Sequence, residues 1–388
     1  MGRGSLQAYR AVRFSRTVPN PFTFDRPLPA DQLVDRAAEL EQLLSLATSG
    51  QSVRLTAPRR YGKTTLLNAL ADTAWQAHEM IPTVVDLSGV TTLDDVVLRL
   101  TRAYERGLDR GKLRGVWRGL RRRGTGNAQL GVPGVASVTA GVGVPAAASS
   151  LAALHDALDL PTRVFARTGQ RCLVVLDEFQ DLFTVGEGLD GILRSHLQHQ
   201  AESASYVFAG SQPSMMRALF GDRSRPLFEQ ARAILLGPLP AADLADFVED
   251  RLARAGRDGL LELVDGLVAV SAGHPQRSML LAHMLYEQAD DDPDALPRAV
   301  AAALREATDG LEQTWRALSD GRRRVLGALA AGHVELTGKA ALAHTGHGKG
   351  TQAGLRDALA ADTLIARDAS GPWRFVDPFL ALWLTQPR

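Results

Sequence analysis

Nine residues, Ala57-Pro58-Arg59-Arg60-Tyr61-Gly62-Lys63-Thr64-Thr65, constrain this chain more than any other stretch. They lie between a short strand candidate at 52–56 and a helix-patterned run at 63–78. A loop so placed wraps an anion, because its backbone N–H groups and the helix N-terminus converge on one point where the dipole favours negative charge. The pattern is that of a P-loop: Lys63 reaches the β- and γ-phosphates of a nucleotide, and the Thr64 hydroxyl ligates magnesium. Ala57 stands where the usual pattern has its first glycine. Alanine is small and the proline after it favours an extended conformation, so the loop is expected to survive. The alternative reading is a chance Gly-Lys-Thr at a helix start.

A second motif follows about 110 residues later in Cys172-Leu173-Val174-Val175-Leu176-Asp177-Glu178. An apolar strand that ends in two carboxylates places them at the carboxyl edge of a parallel sheet, where such folds bind ligands. Asp177 is expected to hold magnesium through water, and Glu178 to orient and activate an attacking water. Around these motifs strand-like and helix-like runs alternate: helices at 35–47, 63–78, 93–106, 150–168, 188–200 and 212–219, strands at 52–56, 83–87, 171–176, 205–209 and 232–236. That order predicts an α/β core with a parallel sheet.

The organisation expected over the 388 residues has four parts. An extended arm, rich in Pro, Phe and Arg, occupies 1–30; the P-loop core follows at 31–239, interrupted by an insertion at 107–150. Helical patterns at 241–255, 258–271, 275–288 and 296–308 make 240–310 an all-α lid. In 311–388, helices at 320–329, 337–344 and 351–359 precede a hairpin from 363–365 and 373–376 that turns at 368–371. Three helices and a hairpin in that order predict a winged helix-turn-helix, whose third helix would enter a major groove. Lys349 and Arg356 there face Asp357 and Asp362, so protein docking stays open beside DNA contact.

The net charge of +1 excludes a uniformly basic nucleic-acid coat, yet the balance is uneven. From 102 to 124 eight arginines and one lysine stand against Glu105 and Asp109, a local excess of +7. Arginines at 102, 106, 110, 114, 118, 121 and 122 recur near every fourth residue, one face of a helix. A solvated cationic helix, phosphate binding to DNA or RNA, and an acidic protein partner all fit. Residues 124–150 carry no charge, and a β-hairpin at 136–144 or a loop is expected there. Cys172, the single cysteine, excludes an internal disulfide and a thiolate metal site. No apolar run reaches the ~18–20 residues of a membrane span, and residues 1–16 have arginines but no apolar h-region, so a cytoplasmic location without membrane contact is expected. His274, His344 and His347 have no neighbouring nucleophile or metal spacing, which leaves no protease, nuclease or transferase site.

The two motifs, with Ser205-Tyr206-Val207-Phe208-Ala209-Gly210-Ser211 further on, resemble those of the AAA+ ATPases. Within them the chain is similar to the STAND branch, and to the archaeal-type ATPases with a C-terminal winged helix. Asn20-Pro21-Phe22, Val34-Asp35-Arg36 with Glu39, Asp177-Glu178-Phe179-Gln180, Gly273-His274-Pro275 and Asp377-Pro378-Phe379 carry that likeness, which spans all but 107–150. It implies an ATP/ADP and Mg2+ site in which Ser211 is sensor 1, Pro275 packs on the adenine, Arg36 lies near the base and Arg277 serves as sensor 2. Arg223 or Arg225 would be an arginine finger presented to a neighbouring copy. Plainer readings remain for all but Arg277: a turn after a strand for Gly210-Ser211, helix punctuation for Gly273 and Pro275, surface charge for Arg36, and chance among 40 arginines for the finger. The implied activity is slow ATP hydrolysis driving a switch whose state controls homo-oligomer assembly and partner or DNA engagement. A DNA-processing loader related to origin-recognition ATPases, and an adaptor that holds nucleotide without turning it over, are the alternatives.

Overall fold

The computed structural model describes residues 19–26, 28, 34–110, 113–122, 146–288, 292–367 and 371–386. Five parallel strands form its central sheet: β1 (Val53–Thr56), β2 (Ile81–Asp86), β3 (Cys172–Asp177), β4 (Ala204–Gly210) and β5 (Arg232–Leu235), in the order β2-β3-β4-β1-β5. Every residue of β3 and β4 is buried, which is why both read as continuous apolar runs rather than alternating ones. The registers align Leu176 with Phe208 and Thr56 with Gly210. Because neighbouring strands finish level, the loops after β1, β3 and β4 open on one edge.

Helices α1 (Ala37–Thr48) and α2 (Lys63–His78) pack Leu43, Leu66 and Leu70 against Leu55, Val175 and Val207 in one core. A second core joins Tyr104, Leu154, Phe179 and Phe208, with α3 (Leu93–Arg110), α4 (Arg114–Arg122), α5 (Ala146–Leu158), α6 (Leu160–Thr168), α7 (Leu189–Leu197) and α8 (Pro213–Gly221) following in the chain. After β5 come the lid helices α9 (Ala241–Arg254), α10 (Val264–Ser271), α11 (Pro275–Tyr286) and α12 (Ala295–Arg316). The chain then forms α13 (Asp320–Ala330), α14 (Lys339–Thr345), α15 (Lys349–Ala361), the antiparallel pair β6 (Ile365–Ala366) and β7 (Arg374–Phe375), and α16 (Pro378–Thr385). Lid and C-terminal helices share a third core, in which Leu252, Leu281 and Leu285 meet Leu326 and Phe379, and Phe22 of the arm is buried with them. Each such side chain contributes ~1.5–3 kcal/mol on burial, so the lid and the C-terminal helices are one packed body.

Several expected elements differ in detail. The single helix expected at 150–168 is two, broken at Asp159, with Pro161 in the first turn of α6. The arginine face expected along one helix from 102 is divided between two, α3 and α4. A 3-10 turn, Asp258–Leu263, replaces the first half of the lid helix expected at 258–271. The last lid helix continues to Arg316 rather than stopping at 308. Helix α16 is an addition: Asp377 caps it by accepting from Phe379 N–H at 3.0 Å, and Pro378 opens it. The expected hairpin at 136–144, most of the arm, and 368–370 of the expected turn lie outside the described residues. No helix among the described residues is long and apolar enough to cross a membrane.

Candidate functional site

The loop from β1 to α2 is shaped by two left-handed residues, Arg60 at φ 67° and Gly62 at φ 78°. Nothing lies within 4 Å of a Cβ built on Gly62, so its glycine answers a conformational need, not a steric one. Gly62 then caps α2, whose first residue is Lys63. Ala57 is fully buried, and its N–H donates to Gly210 O at 3.3 Å, which ties the loop's start to the end of β4. A small side chain is what that position admits.

Lys63 is 6% exposed, and its Nζ lies 2.7 Å from Asp177 Oδ1 and 2.6 Å from Glu178 Oε1. The Thr64 hydroxyl donates to Asp177 Oδ2 at 3.4 Å. The other oxygen of Glu178, Oε2, accepts from Gln180 Nε2 at 2.6 Å and from Ser211 through Oγ at 2.7 Å and backbone N–H at 3.2 Å. Burial opposes ionisation of Glu178, but the Lys63 charge and these hydrogen bonds outweigh it and hold its pKa below the ordinary carboxylate value. Glu178 also sits at φ 49°, a left-handed conformation rare for its type and found where structure is committed to a site. Pairing of β3 with β4 sets Ser211, one residue past β4, beside Glu178. A Cβ on Gly210 would come within 2.6 Å of Gln180 Oε1 and 2.8 Å of Met216, so close approach requires this glycine.

A cavity of ≈ 710 Å³ opens in front of these groups, between the P-loop, the lid and the arm. Arg59, Arg60, Tyr61, Gly62, Lys63, Thr64 and Thr65 line its loop side, and Pro275 and Arg277 its lid side. Arg36 lines it too, but its guanidinium is committed to Glu39 Oε1 at 2.8 Å and to Gly237 O at 2.6 Å. It thereby braces α1 against the linker after β5. Gly273 lies at φ 70°, and a Cβ there would meet Leu239 O at 2.3 Å, so the turn before Pro275 needs glycine on both counts. The arm lies across the far end: His283 Nδ1 and Phe22 O are 2.7 Å apart, and Asn20 Nδ2 donates to His283 O at 3.1 Å. This places Thr23 and Phe24 on the cavity wall.

Lys63, Thr64, Asp177, Glu178 and Ser211 therefore form one contacting cluster, with the other P-loop residues, Arg36, Pro275 and Arg277 around the same cavity. Arg223 and Arg225 are exposed and do not line it; Arg225 Nη1 lies 3.4 Å from Asp190 Oδ2. Sequence reasoning missed three contributors: Gln180, Phe24 and Met279. Gln180 was visible as the polar residue that follows Asp177-Glu178-Phe179 where a strand ends. A nucleotide with magnesium fits this donor set, since a hydroxyl and two carboxylates are the hard oxygen ligands magnesium takes, and Gln276 Oε1 is buried at the cavity without a protein partner.

No protein-family model and no curated protein matches the chain. Solved structures do. The Walker-type ATPase PABY2304 of Pyrococcus abyssi is 17% identical, with a TM-score of 0.66 over 92% of this chain and 98% of that one. The ORC2 protein of Aeropyrum pernix, in ADPNP–ADP complexes, is 16% identical, with a TM-score of 0.57 over 93% and 94%. At these identities the likeness is one of fold, and the fold is that of the AAA+ P-loop proteins.

Proposed function

We propose that this chain binds ATP with magnesium and hydrolyses it slowly. The arrangement of Lys63 between Asp177 and Glu178, with Ser211 on the far oxygen of Glu178, carries this reading. A buried ammonium needs counter-charge, and at a P-loop the natural alternatives are its own carboxylates or phosphate oxygens. Lys63 would exchange the former for the latter when ATP enters, which frees Glu178 to polarise a water. Ser211 and Gln180 keep the Glu178 carboxylate aimed while that exchange occurs. Thr64 and Asp177 would hold magnesium, which when bound neutralises charge on the β- and γ-phosphates. Pro275, Met279 and Phe24 offer an apolar wall for the base, beside the Arg36 brace. We read 311–388 as a winged helix-turn-helix, and the whole as a STAND-type switch that assembles in a nucleotide-dependent way. The direct test is nucleotide binding and phosphate release by the purified chain; absence of both refutes the reading.

A second reading adds DNA. Arg102, Arg106, Arg110, Arg114 and Arg118 are all exposed on α3 and α4, although Arg110 is paired with Asp72 and Arg114 with Asp109. Solvent-facing arginines on adjacent helices suit a phosphate backbone, and binding through them must weaken steeply with salt. A flat salt response in an affinity titration overturns it.

A further inference from the structure

The two lid and tail motifs, Gly273-His274-Pro275 and Asp377-Pro378-Phe379, meet in space. Arg277 Nε lies 3.0 and 3.1 Å from the two Asp377 oxygens, and Nη2 lies 2.6 Å from Oδ2. The Arg277 side chain is 4% exposed, and its guanidinium also lies over the Phe379 ring at 5.0 Å. One residue before Asp377, the Val376 carbonyl accepts from the Tyr61 hydroxyl at 3.0 Å. Tyr61 belongs to the P-loop, and its ring meets that of His274 edge-on at 4.9 Å. His274 in turn caps α11 by accepting from Arg277 N–H at 3.3 Å. P-loop, lid and C-terminal segment are thus joined by one short chain of contacts, and Arg277 faces the same cavity as Lys63 and Glu178.

We propose that Asp377 occupies Arg277 in competition with the terminal phosphate of ATP, so that ATP, unlike ADP, draws this arginine away and loosens the seating of residues 373–379 on Tyr61. The inference rests on the nucleotide reading above. Its physical basis is that a buried guanidinium keeps an anionic partner, and that a carboxylate and a phosphate satisfy the same planar fork. The exchange swaps one anion for another without stranding the cation. ATP and ADP differ by the γ-phosphoryl group alone, and a ligand shifts an equilibrium only through such a differential contact. Burial opposes charge on Asp377, yet the Arg277 hydrogen bonds and charge hold its pKa below the ordinary value. His274, pushed down to about 4 by burial, is neutral and does not compete for Asp377. Asp377 is therefore a positioning residue for Arg277.

The experiment uses the full chain carrying Ser214→Cys and Ala361→Cys, because Ser214 Oγ donates to Ala361 O at 3.0 Å between α8 and the end of α15, and both residues are exposed. Cys172 is buried and does not interfere. Oxidative cross-linking is expected to be slower by about fivefold or more with a slowly hydrolysed ATP analogue than with ADP, the lower end of ordinary coupling. Asp377→Asn keeps the cap, since asparagine caps as well as aspartate. It is expected to tighten binding of the analogue by about tenfold, ~1.4 kcal/mol. Binding of ADP should stay within about twofold on the same scale, and the nucleotide dependence of cross-linking should disappear. Asp377→Glu is expected to restore that dependence. Should Asp377→Asn fail to fold, cross-linking of the parent cysteine pair with the two nucleotides decides alone. Equal rates with both, or an unchanged affinity ratio in Asp377→Asn, overturns the competition. No binding of either nucleotide to the parent chain overturns the ATP reading and the competition together.

Discussion

Two sets of cations in this protein live under opposite rules. Lys63 and Arg277 are almost wholly buried, and each is held by carboxylates at 2.6–2.7 Å. On α3 and α4, Arg102, Arg106, Arg110, Arg114 and Arg118 face solvent; Arg110 and Arg114 keep partners while remaining 52% and 73% exposed at the side chain. In a poorly hydrated setting a lone charge is costly, so partner and position are specified together. At the surface, water and salt screen the same pair to ~0–1 kcal/mol. The buried cations are part of what the fold requires, whereas the exposed ones are not.

The sharpest challenge to that contrast is Lys63→Ala. It should abolish ATP binding, a loss of at least about a hundredfold measured calorimetrically, because its charge-assisted contacts have no substitute. Retained binding would mean the buried cation is structural only. Glu178→Gln should leave ATP affinity unchanged and lower steady-state phosphate release by ~10²–10⁴-fold, the range for removing a general base. Unaltered turnover would remove Glu178 from the reaction.

A third prediction concerns the buried imidazole beside Arg277. His274 is 3% exposed, and burial lowers its pKa from 6.5 to about 4. Between those values the unfolded chain binds a proton that the folded chain refuses. Stability is therefore full above about pH 6.5 and falls on acidification, by up to ~1.4 kcal/mol per pH unit, until the folded value is reached. His274→Asn retains an acceptor for the Arg277 N–H and should flatten this part of a denaturation-midpoint profile against pH. An identical slope would remove His274 as its source. The smallest effect is expected at the surface. Arg106→Ser with Arg118→Ser should change unfolding free energy by less than ~0.5 kcal/mol and leave nucleotide affinity as it was. A larger destabilisation would erase the distinction between the two sets.

The parallel sheet and the P-loop were legible because their signals are local: unbroken apolar runs for β3 and β4, and a loop motif between strand and helix. That both motifs end at the carboxyl edge of one sheet was legible too, but the pairing of Lys63 with Asp177 and Glu178 was not, since Lys63 follows β1, the carboxylates end β3, and β4 lies between those strands. What escaped was set by distant packing. Helix α16 reads as a plain apolar run until Asp377 is seen as both cap and partner of Arg277, 100 positions earlier. Phe24 reaches the cavity only because His283 and Asn20 fix the arm to α11. The break at Asp159 was partly visible, since Pro161 suits the first turn of a helix and not its interior. Helix α12 passed its expected end because Ala303, Ala307 and Leu311 continue its buried stripe.

The shared burial of Phe22 and Phe379 in the lid core has a consequence for how the chain matures. On the ribosome, domains form as their residues emerge, and the α/β core, Val376 and Ala366 apart, can close once β5 has appeared. The lid core cannot, for it waits on a phenylalanine made more than 350 residues after the first. Contacts so far apart in sequence are slow to form. Newly made chains should therefore pass through an interval with a finished sheet and an open, apolar lid, when a chaperone would find its target.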